Sequence, residues 1–157
     1  MGTNKKPIRL SAPGTTPSKS DRGEVLPISG KPDPRPVLLA TERDFKQIET
    51  ILSAYHLHDI EQADRNLQAM AGEPHHRRQL ADILPILLDS ISRTADPDQA
   101  LNHWERLFGE VTRSSFLDYL RSSPRMLDLL CTIFGNSDAL AFTVIRDPML
   151  VYWLSEE

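Results

Sequence analysis

Residues 96–154 read DPDQALNHWERLFGEVTRSSFLDYLRSSPRMLDLLCTIFGNSDALAFTVIRDPMLVYWL, and this stretch decides the fold. An Asp or Ser precedes a proline three times within it, at Asp96-Pro97, Ser123-Pro124 and Asp147-Pro148. The oxygen-bearing side chain can accept a hydrogen bond from a free N–H of a first helical turn. Proline at the first helical position gives up only an N–H that has no partner within the helix. Because apolar residues at helical spacing follow each pair, the stretch predicts a run of short helices with sharp starts.

Apolar residues at helical spacing predict further helices ahead of this stretch. Thr41 and Asp44 have the spacing of a capping box, which places the start of the first helix at Thr41. The second helix is expected after Asp59 and is expected to end at Gly72.

Two residues inside the pattern predict interruptions. The third helix, at about residues 74–92, is expected to kink or to divide at Pro85, which removes a hydrogen bond and clashes with the preceding turn. Gly135 is expected to end the sixth helix in the left-handed conformation, and Asn136 or Ser137 to cap the next one. No segment alternates apolar and polar residues between hairpin turns. The predicted fold is all-α, an irregular bundle or array of about seven to eight short helices.

Pro124 and Pro148 stand 24 residues apart, and similar apolar spacing follows each of them. This spacing indicates either stacked helical hairpins of a repeat protein or simply a shared way of starting helices.

Composition changes near residue 40. Residues 1–40 contain seven of the twelve prolines and four of the seven glycines, and they contain no aromatic residue. Such a segment buries too little apolar surface to offset the entropy lost on ordering. The sequence therefore predicts a disordered tail at residues 1–40 and a helical domain at residues 41–157. Removal of the tail is expected to leave thermal stability nearly unchanged.

Charge divides at the same boundary. The tail carries seven Lys or Arg against three Asp or Glu, whereas residues 41–157 carry eleven against nineteen. A basic arm of this kind can contact RNA, an acidic lipid surface or the acidic domain itself, or can simply be solvated. An acidic domain argues against nucleic acid as its main partner.

Cys131 is the only cysteine of the chain, and it lies in the apolar sequence LDLLCTIF, which favours a buried thiol. The longest apolar runs are interrupted by Asp89 and Asp128, so we expect no membrane contact. The N-terminus has no contiguous apolar segment typical of a secretory signal. These features together favour a cytoplasmic protein.

The order of several elements between residues 96 and 154 resembles the N-terminal helical region of bacterial glutamine synthetase adenylyltransferases. That family has a D-P-x-x-A-L-x-x-x-E-R-L helix, an apolar helix ending F-G-x-S, an L-x-x-x-x-I-R-x-P segment and a closing L-x-W-L. In this chain these elements are Asp96, Pro97, Ala100, Leu101, Glu105, Arg106 and Leu107; Phe134, Gly135 and Ser137; Leu140, Ile145, Arg146 and Pro148; and Leu150, Trp153 and Leu154.

The resemblance implies a relation to large enzymes of nitrogen regulation with two nucleotidyltransferase domains. One domain transfers AMP from ATP to a tyrosine of glutamine synthetase, the other removes it by phosphorolysis, and signalling proteins of the PII type set the balance. In such domains a Gly-Ser turn holds the nucleotide phosphates, and an Asp-x-Asp pair binds magnesium. Because this chain lacks that order of motifs, it looks like the leading helical part of such an enzyme without its catalytic domain. We therefore expect no catalytic, cofactor or metal residue in it; ATP and magnesium are implied only for the family's catalytic domains.

Several residues superficially suggest a site. Asp96 and Asp98 form an Asp-x-Asp pair, but their position at a helix start favours capping over metal binding. The sequence GNSD at residues 135–138 favours a helix end and a cap over a phosphate-binding turn. The histidines have no zinc-ligand spacing, and His103 with Glu105 has no recognisable nucleophile beside it.

Contact with a partner is the remaining prediction for surface residues. Tyr152 and Trp153 are expected to contact another domain. The charged side chains proposed for a docking face, unless they merely solvate the surface, are Glu105, Arg106, Arg121, Arg125 and Arg146.

The sequence therefore favours a non-catalytic scaffold segment that packs against, positions or regulates a nucleotidyltransferase domain in cis or in trans, with glutamine synthetase as a further partner. The alternatives are a free-standing helical interaction module and a small enzyme with an unrecognised site.

Overall fold

The computed structural model describes residues 30–155, and this part of the chain contains nine α-helices and no strand. The fold is therefore all-α, as predicted. The helices are α1 (Pro36–Leu39), α2 (Phe45–Ala54), α3 (Ile60–Ala71), α4 (Pro74–Ser92), α5 (Pro97–Phe108), α6 (Arg113–Ser122), α7 (Pro124–Asn136), α8 (Asp138–Arg146) and α9 (Met149–Ser155).

Side-chain oxygens cap four of the helices. Asp59 accepts a hydrogen bond from the backbone N–H of Gln62, and Asp96 accepts one from that of Gln99, as the sequence predicts. Ser137 caps α8 through Leu140 N–H. The capping box predicted at Thr41 is wrong, because Asp44 itself is the N-cap of α2 and accepts from Lys46 N–H. Asp44 performs the same chemistry three residues later along the chain. Ser123 stands at the N-cap of α7 without a side-chain cap.

Pro85 lies inside α4, which is one continuous 19-residue helix rather than two. The Pro85 side chain is buried, as are Leu84, Leu87 and Leu88 around it. Packing on several sides holds the helix together across the hydrogen bond that proline removes.

The core forms around α4 and α5. Helix α5 packs mainly against α7 and α3, and α4 packs mainly against α6 and α7. Trp104 is fully buried on α5, and its ring contacts those of Phe108, Phe116 and Phe134 at centroid distances of 6.1, 6.4 and 5.1 Å. Trp104 is therefore the core anchor that its position in the apolar stripe predicts.

Gly135 does not end α7 in the left-handed conformation, so that prediction is wrong. It lies buried inside α7, and the glycines with positive φ among the described residues are Gly30 and Gly72. A Cβ atom at Gly135 would lie 2.1 Å from Thr94 Oγ1 and 2.3 Å from Thr94 Cβ. Glycine is needed here because the loop between α4 and α5 passes directly over the helix. Gly72, by contrast, follows α3 with φ 59°, as predicted.

The predicted domain boundary at residue 41 lies too far along the chain. Val37 and Leu38 on α1 are buried against α3 and α4. The backbone carbonyls of these two residues accept hydrogen bonds from Gln68 and Arg77, at 3.1 and 3.2 Å. Tyr55 Oη donates to Pro32 O at 2.6 Å. The helical domain therefore includes residues 30–40; residues 1–29 of the predicted tail lie outside the described residues.

Candidate functional site

Helices α8 and α9 carry the most exposed apolar surface of the described chain. Trp153 is 70% exposed, Met149 60% and Leu140 55%, and Phe142 and Leu154 are also exposed. Met149 and Trp153 are four residues apart on α9, so they lie on the same face of that helix. We call these five exposed side chains of α8 and α9 the apolar face; Leu140 and Phe142, two residues apart on α8, do not share one side of that helix. A concentration of large apolar side chains of this kind is typical of an interaction surface.

Tyr152 lies partly buried beside this face rather than on it. Its ring stacks at an angle on that of Tyr119, with 4.9 Å between the centroids. Tyr152 also lines a surface cavity of about 330 Å³ with Val111, Pro148 and Met149. The structure therefore assigns Tyr152 to the packing of α9 on α6, and leaves Trp153 as the exposed aromatic of the predicted pair.

The charged residues predicted to form a docking face are distributed over four helices. Arg106 on α5 lies 5.8 Å from the ring centroid of Phe142, next to the apolar face. Arg121 on α6 pairs with Asp118 at 3.9 Å. Arg125 and Arg146 are exposed on α7 and α8, and neither forms an ion pair with any residue between 30 and 155. Glu105 lies partly buried between α3 and α5, where it lines a cavity together with Arg106.

The carboxylates of the Asp-x-Asp pair serve helix starts. Asp96 caps α5, and Asp98 accepts hydrogen bonds from the backbone N–H groups of His58 and Asp59, the first at 3.1 Å. Asp98 thus ties the start of α3 to the start of α5. Within residues 30–155, no three His, Cys, Asp or Glu side chains converge in a way that could hold a metal ion.

Cys131 is fully buried, as predicted. Its Sγ lies 3.9 Å from the carbonyl oxygen of Leu87. Burial raises the pKa of the Cys131 thiol well above its ordinary value. The thiol is therefore protonated at neutral pH and is part of the core.

Sequence analysis missed a chain of hydrogen-bonded carboxamides between α3 and α5. Gln62 Nε2 donates to Asn66 Oδ1 at 3.0 Å, and Asn66 Nδ2 donates to Asn102 Oδ1 at 2.7 Å. Asn102 Nδ2 donates to Gln99 Oε1 at 3.1 Å. We call these four residues the amide ladder. The only signal in the sequence is that Gln62 and Asn66, like Gln99 and Asn102, are spaced to share one helix face.

The amide ladder ends at a buried histidine. Gln99 Nε2 lies 3.4 Å from His103 Nε2, and His103 Nδ1 lies 3.1 Å from the carbonyl oxygen of Phe134. The carbonyl can only accept, so Nδ1 carries the proton and Nε2 is the acceptor in the neutral ring. Asp138 Oδ1 is 3.6 Å from Nε2. His103 therefore joins α5 to α7 and α8 as a structural residue.

No helix among residues 30–155 is both long and apolar enough to cross a membrane.

Comparison with known proteins gives partial matches to a single kind of enzyme. The chain is 28% identical over 137 residues to the bifunctional glutamine synthetase adenylyltransferase/adenylyl-removing enzyme of Bifidobacterium longum (strain DJO10A), a match that covers 85% of this chain. The corresponding enzyme of Xanthobacter autotrophicus is 34% identical over 83 residues, or 53% of this chain. That of Rhodopseudomonas palustris is 29% identical over 76 residues, or 48% of this chain.

These matches cover little of the relatives themselves, namely 12% of the Bifidobacterium protein and 8% of each of the other two. No protein-family model matches the chain, and no solved structure does. The partial matches nevertheless agree with the resemblance of residues 96–154, and they support a distant relation of this helical chain to the glutamine synthetase adenylyltransferases.

Proposed function

We propose that this chain is a non-catalytic helical segment that packs against a nucleotidyltransferase domain of the adenylyltransferase type. The relatives are named for adding AMP to glutamine synthetase and for removing it, and this chain matches only a small part of their length. Its own acidic pair, Asp96 and Asp98, is used by helix starts. The proposal places the nucleotidyltransferase domain in cis, as in the relatives, or in trans, and places the protein in the cytoplasm.

The apolar face on α8 and α9 is the observation that carries the proposal. Trp153 is 70% exposed, and Met149 and Leu154 are exposed on the same helix, so several large apolar side chains of α9 are open to a partner. Aromatic side chains of this kind supply a large share of the binding energy when a partner buries them. Arg106, held over Phe142, adds a positive charge at the edge of the face.

Tryptophan fluorescence provides the direct test. The chain has two tryptophans, of which Trp104 is buried and Trp153 is exposed, so docking should shift the emission of Trp153 alone to shorter wavelength. The partner to titrate is the part of the Bifidobacterium enzyme outside the matched region. Trp153→Ser should abolish binding. Leu129→Ser is the matched control, because Leu129 is an exposed apolar residue on α7, outside the apolar face.

Activity provides the second test. The chain should not transfer AMP when incubated with ATP, magnesium and glutamine synthetase. Transfer by the chain alone would refute the non-catalytic assignment. Absence of binding to any nucleotidyltransferase domain would favour the alternative of a free-standing interaction module.

A further inference from the structure

A cavity of about 420 Å³ opens between the loop that follows α1 and the first turns of α4. Arg43 of the loop and Arg77 and Arg78 of α4 line it, and no acidic side chain of the described residues does. Residues 41–157 carry eleven Lys or Arg against nineteen Asp or Glu, so this lining runs against the charge of the surrounding domain. A concave surface of one charge attracts ligands of the opposite charge, and the cavity therefore favours an anion.

The fold holds Arg77 in place. Its Nη1 donates to the carbonyl oxygen of Leu38 at 3.2 Å and to Gln68 Oε1 at 2.6 Å. Both acceptors are neutral, so they position the guanidinium without cancelling its charge. A guanidinium has five N–H groups, and those on Nε and Nη2 of Arg77 have no partner among residues 30–155. Donors that are positioned in advance lower the entropic cost of binding a ligand.

The other two arginines differ in how far their charge is neutralised. Arg43 forms an ion pair with Asp64. Arg78 is exposed and has neither an ion pair nor a side-chain hydrogen bond with any residue between 30 and 155. The carboxylate of Glu73 lies 4.0 Å from His76 Nδ1 and does not line the cavity. Three arginines and the one carboxylate of Asp64 leave two positive charges at the cavity.

A phosphate monoester matches these groups better than a carboxylate does. It carries a charge of about −1.5 to −2 at pH 7 and has three acceptor oxygens, whereas a carboxylate has one charge and two oxygens. Arginine pairs with phosphate through two parallel hydrogen bonds, so three arginines can serve several oxygens at once. The Thr41 hydroxyl also lines the cavity and can donate to a remaining oxygen.

The rest of the lining is largely apolar. Leu38, Leu39, Ala40 and Pro74 contribute to it, and Leu39 is 48% exposed. The volume lies within the range of roughly 300–1,000 Å³ that is usual for small-molecule sites, in which apolar walls surround a few polar groups. A ligand that fills the cavity should therefore carry an apolar group on its phosphate.

We propose that this cavity binds a small phosphate monoester with an apolar organic group, and that Arg43, Arg77 and Arg78 hold its phosphate. The apolar group packs against the α1 side of the cavity, where Leu39 is exposed. The proposal does not rest on the function proposed above, because neither α8 nor α9 lines the cavity.

Isothermal titration calorimetry of the full chain with phenyl phosphate tests the proposal. Inorganic phosphate lacks the apolar group and phenylacetate lacks the phosphate, so each should bind at least about tenfold more weakly than phenyl phosphate. Arg78→Gln should also weaken the binding of phenyl phosphate about tenfold, and it should leave the fold intact because Arg78 has no partner in it. Arg125→Gln, which removes an exposed arginine of α7, is the matched control and should bind like the wild type.

NMR spectra of the same titration locate the ligand. Phenyl phosphate should shift the backbone amide signal of Thr41 and the Nε–H signal of Arg77, both at the cavity. The side-chain amide signals of Asn66 and Asn102, which belong to the amide ladder, should not move. Arg78→Lys keeps the charge but loses the planar fork, so it should recover only part of the affinity that Arg78→Gln loses.

Three outcomes would overturn the proposal. One is the absence of phenyl phosphate binding at millimolar concentration. Another is binding that is unchanged in Arg78→Gln, or signal shifts that centre on a different surface. The last is binding of inorganic phosphate or phenylacetate as tight as that of phenyl phosphate, because the cavity would then not recognise the two parts of the ligand together.

Discussion

Replacing Gly135 by alanine tests the packing of the α4–α5 loop on α7. The new Cβ would lie 2.1 Å from Thr94 Oγ1, 2.3 Å from its Cβ and 2.7 Å from its Cγ2. Rotation of the Thr94 side chain cannot relieve the contact with its Cβ, which is fixed to the backbone. The loop itself is held to α7 by Asp96 N–H donating to Gly135 O at 3.0 Å and by Ala95 N–H donating to Asn136 Oδ1 at 2.9 Å. Either the loop or the helix must therefore move.

Two opposing effects set the size of the change. Alanine in a helix interior is favoured over glycine by about 0.5–1 kcal/mol. Overpacking typically costs about 1–3 kcal/mol, and displacing the loop weakens hydrogen bonds worth about 1 kcal/mol each. Because the overlap at Gly135 involves a fixed atom, the clash should dominate. We expect Gly135→Ala to lower the free energy of unfolding by about 2 kcal/mol.

Urea denaturation of the full chain measures this difference. Gly109→Ala is the matched control, since its new Cβ would come no closer than 3.3 Å to Arg106 O and should change stability by less than about 1 kcal/mol. Thr94→Gly removes the opposing Cβ, so it should recover much of the loss when combined with Gly135→Ala. Thr94→Ala should recover little. A Gly135→Ala chain as stable as the wild type, or the absence of coupling with Thr94→Gly, would refute the reasoning.

Four further outcomes follow from the structure. Trp104→Ala should lower the free energy of unfolding by about 3–5 kcal/mol in the same urea assay, and a loss under about 1 kcal/mol would contradict its role as core anchor. The Cys131 thiol should resist alkylation in the folded chain at pH 8 and react on unfolding, because burial raises its pKa; rapid labelling of the native chain would contradict this. Burial, reinforced by the charges of Asp33 and Asp89, raises the pKa of Tyr55 from 10.0 to about 12. The unfolded chain therefore loses the Tyr55 proton at a lower pH than the folded chain, and the free energy of unfolding should fall as the pH rises from 10 to about 12. Tyr55→Phe should reduce the fall, and an unchanged pH profile would count against it. A chain starting at residue 41 should be less stable by about 3–5 kcal/mol than one starting at residue 30, since it lacks the buried Val37 and Leu38, whereas equal melting temperatures would support the boundary predicted from composition.

Local chemistry explains most of what the sequence predicts correctly. An Asp followed by Pro, as at Asp96, specifies a helix start through hydrogen bonds within one turn, so no distant contact is needed to recognise it. Gly72 likewise ends α3 through its own backbone conformation. Trp104 is recognisable as core because its neighbours in the helical stripe are apolar. In each case the decisive interaction lies within a few residues along the chain.

The predictions fail where the role of a residue depends on a segment that is distant along the chain. Gly135 looks like a helix end, but Thr94, 41 residues earlier, requires the glycine. Val37 and Leu38 lie in a segment whose overall composition predicts disorder. Their side chains are nevertheless buried, because α1 packs against α3 and α4. The composition of a segment does not show whether distant helices bury its side chains.

The candidate surfaces differ in the same way. Trp153 is predicted as a contact residue from its place in the last apolar helix; the structure shows that its side chain is exposed, and the contact itself stays a prediction. The sequence does not distinguish Tyr152 from Trp153, because the burial of Tyr152 depends on its contact with Tyr119 of another helix. The amide ladder joins residues 36 positions apart, from Asn66 to Asn102, and only the packing of α3 on α5 brings them together.

The two ends of the described helical array differ in how completely their apolar side chains are buried. At the amino-terminal end, α1 closes over α3 and α4 with both of its central side chains buried, whereas α9 presents Trp153 and Leu154 outward. Among the described residues, α9 is therefore the expected place for a further helix to dock. An asymmetry of this kind also bears on self-association, because two copies can meet through Trp153 and Leu154 of α9, whereas α1 exposes one large apolar side chain, Leu39. Dilution should consequently separate any dimer of this chain without disturbing the amino-terminal half.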